Sequence, residues 1–160
     1  MNLVSRLACA LLCAVCGNAM AAGAADSVSV ADPYVRLMPP GANATGAFMT
    51  LKNGGDKNAK LVTAESAAAK SVELHSHVND GGVMRMRQVP AIEIKAKGET
   101  ALQPGSYHIM LIGPAAMKEG DKVAIKLNFD DGSSKQVDAV VKKPDAAAAP
   151  APMDHSHMQH

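Results

Sequence analysis

The sequence predicts an all-β domain, a sandwich or a barrel of many short strands, and three observations carry that prediction. Between Ser27 and Lys143, short apolar-polar runs are punctuated by Gly, Pro, Asn and Asp in segments such as NGGDKN, NDGG, LQPG and DDGS. No stretch sustains a helical apolar stripe beyond a turn or two, although AESAAAK at 64–70 has the propensity for one. The length between the two terminal segments suits one domain.

The elements follow in chain order. Residues 1–25 read as a secretory signal: Arg6, an apolar run from Leu7 to Val15, then small residues offering cleavage points between about 21 and 25. The apolar run is too short to span a bilayer. Cys9, Cys13 and Cys16 lack the Leu-x-small context that precedes a lipidated cysteine. SVSVADPYVRL then reads as a first strand passing into a proline-interrupted edge, and TGAFMTLKN ends at the turn NGGDKN. AKLVTAES and KSVELHSHV are followed by the reversal NDGG, then VMRMRQV and AIEIKA. GSYHIMLIG follows the turn LQPG, and KVAIKLNF and SSKQVDAVV flank DDGS. From 144 to 160 the chain is rich in Pro and Ala, with nothing large to bury except methionine, and reads as a flexible His- and Met-bearing tail.

Composition narrows the chemistry. All three cysteines lie in the expected signal, so the domain at 26–143 has neither a disulfide nor a thiolate ligand. Opposite charges are interspersed and nearly balanced, which argues against a nucleic-acid partner and a polybasic membrane patch, and with the short apolar run no stable membrane insertion is expected. No Ser-His-acid or paired-carboxylate arrangement can be placed, so an enzyme is not expected.

What stands out is the spacing of histidine and methionine. Alternation in a strand puts His75 with His77, Met84 with Met86, and His108 with Met110, each pair on one face. A hairpin closing symmetrically over NDGG would set His75 opposite Met86 and His77 opposite Met84. A lone methionine in a strand is ordinarily core filler, and a lone histidine ordinarily a satisfied or solvent-facing group. Their joint recurrence at a period of two points instead to a metal site. Thioether is a soft, uncharged ligand that suits Cu(I), whereas zinc more often takes cysteine, carboxylate or further histidine.

The spacing His75, ten residues, Met86, twenty-one residues, His108-x-Met110, with the flanks DGGVMRMRQV and LQPGSYHIMLIG, resembles the periplasmic copper chaperone family PCu(A)C over about 27–141. The resemblance implies a cupredoxin-like Greek-key fold and Cu(I) held by His75, Met86, His108 and Met110. Strand alternation leaves His77 and Met84 either as spare imidazole and thioether groups on the same face or as core or solvent-facing residues. It implies residence in the periplasm and delivery to the copper-site domain of cytochrome c oxidase, above all its Cu(A) centre, or to another periplasmic assembly factor. The tail, with His155, His157 and His160 beside Met153 and Met158, looks like the extension that gives some members a Cu(II) site. A monomer is expected. The alternative readings are periplasmic copper storage, buffering or resistance, and a structural β-sandwich in which these residues are incidental.

Overall fold

The computed structural model describes residues 23–144. The expected signal, apart from its last three residues, and the tail from 145 onward, with Met153, His155, His157, Met158 and His160, lie outside the described residues. The chain forms α1 (Ala24–Ser27), β1 (Val28–Arg36), β2 (Ala44–Asn53), β3 (Ala59–Glu65), β4 (Ala69–Asp80), β5 (Val83–Gln88), β6 (Ile92–Ile94), β7 (Glu99–Leu102), β8 (His108–Pro114), β9 (Lys122–Phe129) and β10 (Ser134–Lys142). The strands join in the order β5-β4-β8-β2-β1-β10-β9-β3-β6, with β7 paired to β2. This all-β sheet has two free ends, β5 and β6, so it is an open sheet folded over on itself rather than a closed barrel.

Alternation explains the fold. In β9, Val123, Ile125, Leu127 and Phe129 point inward while Lys122, Ala124 and Lys126 face water. The same period in other strands delivers Val35, Leu51, Leu61, Leu74, Ile109, Leu111 and Val141 to one common core. Each fully buried aliphatic side chain contributes about 1.5–3 kcal/mol. With no tryptophan in the chain, branched aliphatics carry nearly all of that burial.

The local detail holds one correction, at Pro33, and two further findings. AESAAAK forms no helix: β3 stays paired with β9 through Glu65 and Lys126, and β4 begins at Ala69 opposite Pro114. Between them, Ser66 Oγ donates to the Ala124 carbonyl at 2.7 Å and accepts from Ala68 N–H at 3.3 Å, so strand pairing overrides propensity. Pro33 does not mark an edge, because β1 lies between β2 and β10. It is accommodated where the register slips between Ala31 and Tyr34, beside Asp32 at φ 49°, in a bulge that needs no ladder N–H from proline. Finally, β7 was not foreseen. It pairs Glu99–Leu102 with the part of β2 that β8 does not reach.

Candidate metal centre

Residues that β1, β2, β4, β5 and β8 turn away from the core build a second, smaller surface. On β2 the core takes Ala47, Met49 and Leu51, so Gly46 and Phe48 lie on the opposite face. On β4, Leu74 enters the core while Glu73, His75 and His77 share the outer face; on β8, Ile109 and Leu111 enter it while His108 and Met110 do not. The strand histidines and methionines singled out by sequence therefore share one outer trough, which includes a concavity of about 650 Å³ lined by Phe48, His77, Met84, Met86, His108 and Met110.

The hairpin register differs from the symmetric expectation. His77 stands opposite Met86, Asn79 opposite Met84 and His75 opposite Gln88. The loop is only Gly81-Gly82, with φ 62° and 90°, closed between Asp80 and Val83, and Asn79 Oδ1 accepts from Gly82 N–H at 2.7 Å. Two successive positive-φ glycines suit a two-residue primed turn, which slides the pairing by two residues. A shift of two preserves faces but changes neighbours. On the other side of β4, His75 pairs with His108 and Glu73 with Met110.

His108 is the centre of this surface. It is 3% exposed, and its ring centroid lies 5.3 Å from that of His77, 5.8 Å from His75 and 6.1 Å from Phe48. His108 Nδ1–H donates to the Ser106 carbonyl at 3.1 Å, which leaves Nε2 as the lone-pair nitrogen. His75 Nε2–H donates to Glu73 Oε2 at 2.8 Å, leaving Nδ1 as its lone-pair atom. Three buried imidazole nitrogens lack a hydrogen-bond partner: His75 Nδ1, His77 Nδ1 and His108 Nε2. Such a cluster of unpaired ring nitrogens, two of them fixed as lone-pair atoms, fits a group that accepts lone pairs. Among the described residues, no three His, Cys, Asp or Glu side chains are arranged to hold one ion together, so a metal here has to draw on the thioethers as well.

The floor and walls come from distant strands. Phe48 packs 5.2 Å from Tyr34 by ring centroid, and the Arg36 guanidinium lies 5.4 Å above the Phe48 ring. Gly46, opposite Met110, admits that ring closely: a Cβ there would come within 2.7 Å of Phe48 Cζ. Ser106 and Glu73 each stand two residues before a histidine and were within reach of the strand period. Phe48 and Arg36 had no sequence signal tying them to it. Tyr107 points away and packs against the core. Met84 and Met86 are 55% and 46% exposed, giving the trough an apolar, accessible rim.

Burial holds the His108 imidazole below its ordinary value of 6.5, aided by the neighbouring His77, His75 and Arg36 and opposed by the hydrogen bond to the Ser106 carbonyl. The unfolded chain thus takes up a proton near 6.5 that the folded chain refuses until lower pH. This contribution to stability is present above about 6.5 and lost as pH falls toward the folded value. The metal-free protein is expected to show a falling urea midpoint from neutral pH downward, and His108→Gln should flatten that slope. A slope unchanged by the substitution would assign the acid sensitivity elsewhere.

Comparison with known proteins gives four matches. The family model described as "Putative lipoprotein LpqE-like" matches residues 28–141. "Putative lipoprotein Lxx21020" of Leifsonia xyli subsp. xyli (strain CTCB07) is 38% identical over 120 residues, which is 74% of this chain and 71% of that protein. Among solved structures, the solution structure of CuI-DR1885 from Deinococcus radiodurans matches with 35% identity and a TM-score of 0.59, covering 79% of this chain and 83% of that one. The copper-bound PCuAC domain from PmoF2 matches at 21% identity with a TM-score of 0.62, covering 74% and 94%, and shows a shared fold.

Proposed function

Since the chain belongs to the LpqE-like family, we propose that it is an exported copper carrier that takes up Cu(I) on the outer trough and hands it to the copper-site domain of cytochrome c oxidase, at its Cu(A) centre. The observation that carries this reading is the buried lone pair of His108 Nε2, fixed by the Ser106 hydrogen bond, on a residue that lines one concavity with Met86, Met110 and a second imidazole. The Cu(I) form of the 35% identical Deinococcus protein supports the choice of ion.

Four residues hold the cargo in this reading: His75, Met86, His108 and Met110. All are uncharged as ligands, so the loaded site is a monocation, which is tolerable at an open trough and costly in a sealed core. Soft thioethers favour Cu(I) over Cu(II) and discriminate against hard cations. The cysteine-free domain has no thiolate with which to make a blue-copper centre, so it acts as a carrier without turnover rather than an electron-transfer protein. Partly exposed Met86 allows an acceptor's ligands to replace those of the carrier one at a time, without release of free ion. The His- and Met-bearing segment at 153–160 supplies a separate Cu(II) site. Export to the periplasm follows from the signal at 1–25; among the described residues, no helix is long and apolar enough to cross a membrane.

The test has two stages. The chain, and the chain cut after Lys143, are titrated with Cu(I) against a chelator and with Cu(II); each loaded form is then mixed with an apo oxidase copper-site domain and followed by NMR. One tight, colourless Cu(I) site in both forms, Cu(II) capacity confined to the full chain, and appearance of the metallated acceptor are expected. Tight binding with no transfer would mean storage, buffering or resistance instead, and absence of tight Cu(I) binding would overturn the copper reading.

A further inference from the structure

A site made by His75, Met86, His108 and Met110 accounts for two of the three unpartnered imidazole nitrogens on the trough. It leaves His77 Nδ1 buried and unused. A buried polar nitrogen without a partner is unfavourable enough to require a cause, and the geometry around this one supplies it. The two-residue turn places His77 directly across from Met86, where side chains on facing positions touch. Its ring is nearer to that of His108 than the ring of His75 is, 5.3 Å against 5.8 Å. His77 lines the concavity with both motif methionines and His108, whereas His75 lies outside that lining and is tethered through Nε2 to Glu73.

We propose that His77 is a further metal ligand, which alternates with His75 around the shared His108, Met86 and Met110, so that the domain holds Cu(I) at either of two overlapping positions. The proposal rests on the copper reading above. Alternation rather than joint ligation follows because the three imidazoles are not arranged to hold one ion together. The two positions differ in place along the hairpin. The His75 position lies beside Glu73, while His77 stands two register pairs closer to the hairpin tip and to exposed Met84 and Met86. Moving the ion outward breaks one copper–nitrogen bond as another forms. Both imidazoles are neutral ligands, so the step changes neither charge nor oxidation state and needs no electron or proton donor. His77 is thereby the ligand that presents the ion to an acceptor.

Full-length His75→Gln, His77→Gln and the double variant, measured by Cu(I) chelator competition, test this. If the imidazoles substitute for one another, each single change lowers affinity by less than roughly tenfold. The double change should lower it by about a hundredfold or more, given that even outer partners of metal ligands are worth about 10–100-fold. His77→Gln should also slow handover to the acceptor more than it weakens binding. In wild-type protein carrying ¹⁵N-histidine, the closed-shell soft ion Ag(I) should shift the Nδ1 resonance of His77 as well as that of His75. A His75→Gln variant as weak as the double, or an Ag(I) spectrum in which only His75 and His108 respond, would overturn the proposal while leaving the carrier reading intact. Wild-type affinity in the double variant would also overturn it, and if Met86→Leu and Met110→Leu kept that affinity too, the copper reading would fall with it.

Discussion

The Met86→Leu/Met110→Leu variant is expected to keep its fold and to lose Cu(I) affinity by at least about two orders of magnitude, since a direct ligand should be worth no less than the 10–100-fold of an outer partner. The fold should survive because leucine conserves volume, and such swaps usually cost less than about 1.5 kcal/mol. Location helps too: Met86 is 46% exposed on an edge strand, and Met110 lies half-buried on the outer face, between Gly46 and Glu73 in the strand register. Affinity should collapse because leucine offers no lone pair, and the trough has no carboxylate trio to replace the sulfurs. Chelator competition with urea denaturation on the same samples separates the two effects. Retained affinity with an unchanged midpoint would show that the thioethers only line the trough.

Much of this site was legible because strand alternation is a local rule. It sorted His75, His77, His108 and Met110 from Leu74, Ile109 and Leu111 without any knowledge of partners, and each falls on the expected face. What alternation does not encode is register. NDGG admits a four-residue or a two-residue loop, and the choice rests on Gly81 and Gly82 both taking positive φ. That choice moved Met86 from opposite His75 to opposite His77. Long-range pairing was equally hidden. Nothing in GAFMT announces that Phe48, excluded from the main core, floors a trough whose histidines and motif methionines lie more than twenty residues away. ETAL, four residues of ordinary composition, became β7 only because β2 had an unoccupied stretch of edge.

Ile109→Ala should cost about 2–5 kcal/mol of folding stability, a large share of the roughly 5–15 kcal/mol available to a typical domain. Ile109 is fully buried, and it lies between Leu74 of β4 and Ala47 of β2 in the strand register. It is also the residue between His108 and Met110, so its side chain anchors from beneath the short stretch of β8 that carries both on the outer face. The cavity left by alanine loosens that stretch, while the ligands themselves remain chemically intact. In the proposed reading Cu(I) binds only the folded arrangement, and at a hundredfold excess over its dissociation constant a ligand adds about 2.7 kcal/mol. The urea midpoint of the variant should therefore fall sharply without metal and recover much of the loss with it, whereas the Met86→Leu/Met110→Leu protein should show little change in either condition. If Cu(I) leaves the Ile109→Ala midpoint where it was while wild type is stabilised, the site depends on rigid support from the core. If it stabilises neither protein, the ion does not bind the folded trough at all.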